Sequence, residues 1–257
     1  MRPLSVVIIT LNEEKNIARC LESVKNLADE ILVVDSFSTD ATKSICIDHG
    51  VTFLEQSFLG YIEQKNFALG KAKYDFVLSL DADEALDETL CNSIAREKTS
   101  DFPVDAYTMN RLSYYCGKWI RHGTWYPDTK LRLLNRHKGN WGGTNPHDKL
   151  EMQNGIDAQH LKGDILHYTY YTMEEHMLQA NKFSTIAAKA MNKQGKKSNW
   201  FKILVNPAIA FLTSFVIKGG FLDGFYGYCI ARTHSFQTFQ KYIKLMQIQR
   251  QGRSDDR

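Results

Sequence analysis

The stretch LSLDADEALD (78–87) runs from an apolar strand pattern straight into three carboxylates, Asp81, Asp83 and Glu84. Like charges this close repel one another unless something positive lies between them. Alternate residues of an extended segment point the same way, so Asp81 and Asp83 can converge on one point. Two hard oxygen ligands at a strand end suit Mg²⁺ or Mn²⁺, which keep several waters and complete their shell with substrate phosphates. D-x-D also arises by chance as a solvated acidic turn, so its position in the fold decides its weight. A second carboxylate, Asp35 in VVDSFSTD, also follows a strand pattern directly. It lies outside the capping positions that Ser38, Thr39 and Asp40 offer, and can accept hydrogen bonds from a ribose or a base N–H.

The elements around these residues alternate. LSVVIIT (4–10), EILVVDS (30–36), VTFLEQ (51–56) and DFVLSL (75–80) are short β-branched or apolar runs that suit strands buried on both faces. Between them, Ile17, Cys20, Leu21 and Val24 recur at helical spacing, and helices are expected over roughly 40–48 and 61–72. Such alternation indicates a mostly parallel sheet covered by helices, with ligands bound beyond the carboxyl ends of the strands. Asn12–Glu13, Asp35–Ser36 and Asp81–Asp83 should then line one rim. From about residue 104 the chain becomes rich in aromatic and basic residues, WGGTNPHDKLE (141–151) is expected to be a loop leading into a strand, and from 172 the pattern is helical.

Composition narrows the function. The 257 residues suffice for one large domain or a domain with an appendage, and the net charge is +3. A pI of about 8.5 is too mild to point to nucleic acid. Five widely spread cysteines with no C-x-x-C pair argue against a disulfide framework or zinc site and for a reducing compartment. The first residues show no apolar stretch with a small-residue cleavage site, so no signal peptide is expected. ILVNPAIAFLTSFVI (203–217) is apolar but 15 residues long, interrupted by Asn206–Pro207 and bracketed by Lys202 and Lys218. That is short of the ~20 residues of a spanning helix, so an interfacial or re-entrant helix is expected, followed by a Phe- and Tyr-rich stretch suited to a headgroup boundary.

In order and spacing, SVVIITLNEEKNIARCLESV, ILVVDSFSTDAT and VLSLDADE resemble the family 2 glycosyltransferases, which use the GT-A nucleotide-diphosphosugar fold. FLGYIEQKNFAL (58–69), GKWIRHGTWYPDTKLRLLNR (117–136) and HYTYYTMEEHMLQANKFSTIAAKA (167–190) are similar, more narrowly, to the lipopolysaccharide core glucosyltransferases. The resemblance covers residues 4 to 245. It implies a GT-A catalytic domain over 1–170, with a nucleotide-binding half (1–100) and an acceptor-side half (101–170), and a membrane-associating helical extension over 171–257. It implies that Thr10, Asn12 and Glu13 line the nucleotide pocket, that Asp35 binds base or ribose, that Asp81 approaches the ribose or the metal, and that Asp83 holds Mg²⁺ or Mn²⁺ on the diphosphate. Gln64, Lys65 and Asn66 match a segment that reaches toward the nucleotide, with Lys65 a charge partner for the carboxylates or the diphosphate, or else an exposed helix lysine. The Gln-x-x-Arg-Trp motif of processive synthases is absent from the sequence, which implies one sugar per acceptor.

Inverting transfer needs a carboxylate to take the acceptor's proton. Asp148 in TNPHDKL lies downstream of the metal motif on a stretch opened by two glycines, with His147 beside it; Glu84 and His147 are the other candidates. Arg121, Trp125, Tyr126 and Arg132 combine aromatic and basic character, which suits a stacked sugar and a phosphorylated group, although an ordinary aromatic core or ion pair uses the same residues. His167 could sit near the diphosphate or metal, or be structural, and His160 likewise. The expected activity is metal-dependent, inverting transfer of a single hexose, glucose from UDP-glucose, to a lipid-linked glycan at the cytoplasmic face of the cell membrane, with no nucleic-acid partner. A nucleotidyltransferase would want a Gly-rich basic loop after the first strand, where this chain has TLNEEKN; a non-catalytic nucleotide-sugar-binding module would need no base.

Overall fold

β-Branched runs and amphipathic segments alternate in the computed structural model as β1 (Leu4–Thr10), α1 (Ile17–Val24), β2 (Glu30–Asp35), α2 (Thr42–Asp48), β3 (Thr52–Glu55), α3 (Tyr61–Lys71) and β4 (Phe76–Asp81). A short β5 (Glu84–Leu86) and α4 (Glu88–Thr99) follow, then β6 (Ala106–Tyr115), β7 (Lys118–Ile120), β8 (Asp128–Asn135), β9 (Gly139–Thr144), β10 (His147–Met152) and β11 (Gln159–Tyr170). The chain ends in α5 (Met173–Lys193), α6 (Trp200–Leu212), a π-helical turn (Thr213–Ile217), a 3-10 turn (Gly220–Asp223) and α7 (Gly224–Ser254). The structure describes residues 1–144 and 147–254; the side chains of Thr144, His147 and 252–254 lie outside it, and with them the His147 expectation.

The described residues form two units, one of Met1–Leu112 with Asp128–Tyr168, the other of Ser113–Pro127 with Thr169 onward. In the first, β3, β2, β1 and β4 are parallel neighbours, and β4 pairs antiparallel with β8. Register sets the rim: Thr10 lies across from Asp35, and Ile9 across from Asp81. The strand ends therefore deliver Thr10, Asp35 and Asp81 to the same edge, as the alternation predicts.

Two cores cover the two sheet faces because successive side chains alternate. Val6, Ile8, Val33, Leu78 and Leu80 share one core with the buried stripe Ile17, Cys20, Leu21 and Val24 of α1. Each such side chain contributes roughly 2 kcal/mol by leaving water. Val7, Leu32, Val34 and Val77 share the other with Ala68 and Leu69 of α3 and with Trp141 and Leu150 of the β9–β10 hairpin. The WGGT stretch is thus a strand and not the expected loop. Gly143, directly across from Asp148, takes φ +94°, which only glycine adopts without strain, so the glycine that signals a loop allows the pairing here.

In the second unit, α5 and α6 both pack against α7. Thr172 caps α5 in a reciprocal capping box with Glu175. Helix α6 runs on through Pro207, so the interruption expected at Asn206–Pro207 does not end it. Trp200–Ile217 is a continuous apolar helical stretch of 18 residues, of which 17% is buried.

Candidate active site

The site lies within the first unit, where β4 ends. Asp81 does not depend on a bound ion for compensation. Lys65 Nζ lies 3.0 Å from Asp81 Oδ1, and Arg132 Nη2 donates to Oδ2 at 3.2 Å. Burial by itself would raise the Asp81 carboxyl, but Lys65, Arg132 and Arg111 together hold it well below the usual carboxylate range. The second acid, Glu84, is fully buried. It accepts the Asp81 backbone N–H (3.0 Å) and bonds from Arg132 Nη2 (2.9 Å) and Arg111 Nη1 (3.4 Å). A carboxylate locked between two guanidinium groups with no solvent access has no route to an acceptor hydroxyl, which removes Glu84 as a base.

Lys65 also reaches the hairpin. Its Nζ donates to Asp148 Oδ2 at 2.8 Å and sits 4.3 Å from the centroid of the Trp141 ring. The expected base and the D-x-D motif, 65 or more residues apart in sequence, are therefore joined through one buried ammonium. The hairpin is held in that position by the next residue of α3. Asn66 Nδ2 donates to Trp141 O and its Oδ1 accepts the Trp141 N–H, both at 2.9 Å. Asn66, expected to reach toward a nucleotide, spends its amide on this backbone and acts on the site through the hairpin. Gln64 Nε2 donates to Ser36 Oγ at 3.1 Å, tying α3 to the loop after β2.

Asp83 faces a different partner. Glu84 of β5 pairs with His167 of β11, which sets His167 Nε2 3.1 Å from Asp83 Oδ2. That separation is the edge length of a single coordination shell, and carboxylate and imidazole are both ligands for a divalent transition ion. His160 bonds Thr108 Oγ1 at 3.2 Å instead. Among the described residues no group of three or more His, Cys, Asp or Glu side chains could hold a metal.

The loops after β1 and β2 interlock. Asp35 Oδ2 accepts the Ser38 N–H (2.7 Å), Asn12 donates its N–H to Ser38 Oγ (2.8 Å), and Asn12 Oδ1 accepts the Thr39 N–H (2.8 Å). Asn12 and Phe37 have φ of +55° and +64°, conformations unusual for non-glycine residues and held here by these bonds. Glu13 is half-buried. Burial raises its carboxyl above the ordinary value against a bond from Asn16, and the charges of Asp83, Asp40 and Asp81 add to the rise. Thr10 Oγ1, Gln64 Oε1, Arg132 Nε and Nη1 and Trp141 Nε1 are buried polar atoms with no hydrogen-bond partner among the described residues, all on this rim or beside it.

The sequence of residues 5–163 matches the model of the family described as glycosyl transferase family 2. The chain belongs to that family. The glycosyltransferase is 33% identical over 265 residues to an uncharacterised glycosyltransferase of Rickettsia typhi, covering 99% of this chain and 90% of that one. It is 30% identical over 250 residues to the lipopolysaccharide core biosynthesis glycosyltransferase LpsC of Rhizobium meliloti, covering 95% and 92%. Its fold is like that of the mannosyltransferase PcManGT of Pyrobaculum calidifontis, solved with GDP-Man and Mn²⁺, at a TM-score of 0.54 and 18% identity, over 96% of this chain and 88% of that one. The architecture is the GT-A fold.

Three expected site residues of the glycosyltransferase belong to the second unit. Trp125 packs edge-on against Tyr115 (5.5 Å) and His176 (5.3 Å). Arg121 and His122 donate their backbone N–H groups to the buried Asp223 Oδ2 at 3.1 and 2.8 Å. Tyr126 precedes Pro127 through a cis peptide bond. Sequence reasoning missed Arg111 and Trp141. Arg111 faces Asp128 across the β6–β8 pair, bonding it through Nε (3.0 Å) and Nη2 (2.8 Å). The only signal was two opposite charges 17 residues apart, and it becomes readable once the strand register is known.

Proposed function

We propose that the enzyme transfers a single hexose, glucose from UDP-glucose, with inversion, onto a lipid-linked glycan such as the lipopolysaccharide core, with a divalent metal at the donor diphosphate. The observation that carries this reading is the ammonium of Lys65 shared between Asp81 and Asp148, because it sets a carboxylate with 11% of its side chain exposed beside the D-x-D motif. The acceptor class is supported by the likeness to LpsC over most of both chains, and the donor by the resemblance of residues 58–69, 117–136 and 167–190 to core glucosyltransferases.

Asp83 and His167 would hold Mg²⁺ or Mn²⁺, with diphosphate and water completing the shell. The ion would draw negative charge from the departing nucleotide. Thr10, Asn12, Glu13 and Asp35 would frame the nucleotide; the Asp35–Ser38 and Asn12–Thr39 bonds fix that wall before donor arrives. Asp148 would take the proton from the acceptor hydroxyl as it attacks the anomeric carbon, with Lys65 keeping the carboxylate oriented. Arg121, Trp125 and Tyr126 are assigned to the acceptor. Catalysis is assigned to residues 1–170 and peripheral contact with the cytoplasmic face of the membrane to 171–257.

Calorimetric titration of UDP with Mn²⁺ and then with EDTA tests the donor site. Binding that requires metal and is lost in Asp83→Ala is expected. Metal-independent binding, or equal binding by the variant, would refute the assignment of Asp83.

A further inference from the structure

The charge of this chain is unevenly divided. Between residues 176 and 254 there are twelve lysines and arginines and a single acidic residue, Asp223. That acid is buried and receives the N–H groups of Arg121 and His122, so it presents no negative charge to a partner. The mild overall charge of +3 conceals a strongly basic segment offset by an acidic remainder. Such asymmetry marks a contact with a polyanionic surface.

The same segment exposes apolar side chains in an ordered way. Trp200, Leu204, Leu212 and Val216 recur at multiples of four along α6 and its π-helical turn, all exposed, with Phe201 and Ile217 beside them at 69% and 77%. The opposite side of α6 is taken by α7, with Ile203 buried. Lysines stand at both ends of the stripe: Lys196, Lys197 and Lys202 before or within its first turn, and Lys218 after its last. An apolar face of this size without a partner is an interaction site in a soluble chain. Its basic border selects the partner.

We infer that this face docks in the plane of a lipid bilayer and that the bilayer must carry net negative charge. Two features favour lying on the membrane over crossing it. Eighteen helical residues reach about 27 Å, short of the ~30 Å hydrocarbon core. Helix α7, packed along α6, carries Arg232, Lys241 and Lys244 and would be drawn into lipid with it. An in-plane helix instead sinks its aromatic and aliphatic face to the acyl boundary and leaves lysines among the headgroups. The inference deepens the membrane contact proposed above and rests on it.

The test is flotation of the full chain with acceptor-free vesicles of phosphatidylcholine alone or mixed with phosphatidylglycerol, in dilute and in concentrated salt. Binding to the mixed vesicles only, and release by salt, is expected. Lys196→Gln with Lys197→Gln, both on an exposed connecting segment, should weaken partitioning by roughly fivefold for each lysine, and Leu204→Ser with Ile217→Ser should weaken it in either salt. Equal flotation with neutral vesicles, no flotation with either, or no response to the lysine variants would overturn the inference. Retention through both concentrated salt and alkaline carbonate would overturn the in-plane geometry. UDP calorimetry on the same samples separates the two readings. Intact nucleotide binding with failed flotation counts against docking alone, and lost nucleotide binding with intact flotation counts against the donor site alone.

Discussion

Replacing Lys65 with methionine tests the charge network at its centre. The side chain is 5% exposed, and its ammonium lies 3.0 Å from Asp81 and 2.8 Å from Asp148. Methionine keeps the length and apolar contact but removes the charge. Asp81 retains Arg132 at 3.2 Å, whereas Asp148 loses its ion-pair partner. Breaking one side of a buried pair costs about 3–5 kcal/mol. The lower end applies because Asp148 sits near solvent and Asp81 keeps one cation, so a loss of about 3 kcal/mol at pH 7 is expected. For a chain of this size that is a fall of about 6–12 °C in Tm. The pH dependence gives a second check. Asp81 is depressed in the folded wild type, so its contribution is full above the unfolded carboxylate pKa and is lost as pH falls through the lower, folded value. The variant, with one cation fewer, has less of that contribution to lose. The gap between the two proteins should therefore be widest near neutrality and narrow below about pH 4. Urea melts of both proteins at neutral and acid pH measure it. A variant as stable as wild type at pH 7, or a gap that stays constant into acid, would refute the reasoning.

Three further outcomes follow from the same geometry. Asp148→Asn should retain metal-dependent UDP binding while turnover falls by a factor on the order of 10²–10⁴; unchanged turnover would remove Asp148 as the base. Asn66→Ala takes the acceptor from the Trp141 N–H and leaves its carbonyl only the bond from Asn140 Nδ2 at 3.1 Å, which should cost roughly 1–3 kcal/mol and lower kcat more than it weakens nucleotide binding, since the hairpin carrying Asp148 loses its clamp. His176, buried against Tyr115 and Tyr170, is lowered to about 4 by burial and by His234. Its folded value lies below the unfolded one, so stability should be full above about pH 6.5 and fall by about 3 kcal/mol toward pH 4; His176→Phe should flatten that slope in a denaturation series.

The strand–helix alternation and the rim were legible because each rests on local pattern. β-Branched runs bounded by polar turns mark β1, β2 and β4, and a polar residue directly after such a run must lie at the strand's end. What offsets the charge of LSLDAD was legible only in part, in Lys65 as a candidate partner of the carboxylates and in Arg132 as a candidate for an ion pair. Lys65, Arg132 and Arg111 come from a helix and two antiparallel strands, and only the β4–β8 and β6–β8 registers bring them to Asp81 and Glu84. The like charges that pointed to a bound cation are met first by the chain's own cations. Asp83 alone among the three is turned to a histidine, through the short β5–β11 pairing that no periodicity announces. The hairpin was misread for a related reason: a glycine pair resembles a loop until the partner strand shows that one glycine lies opposite Asp148.

Trp141 has a use apart from packing. Its ring is 3% exposed, with the Lys65 ammonium 4.3 Å and the Arg132 guanidinium 5.3 Å from its centroid. Indole emission responds to the local electric field, and the two cations beside this ring are the ones paired with Asp81. With Trp119, Trp125 and Trp200 replaced by phenylalanine, Trp141 becomes the sole tryptophan in the chain, excited apart from the twelve tyrosines at the red edge of the absorption band. The site would then signal its own occupancy as a change in fluorescence, which allows donor association to be followed in stopped flow without a labelled substrate.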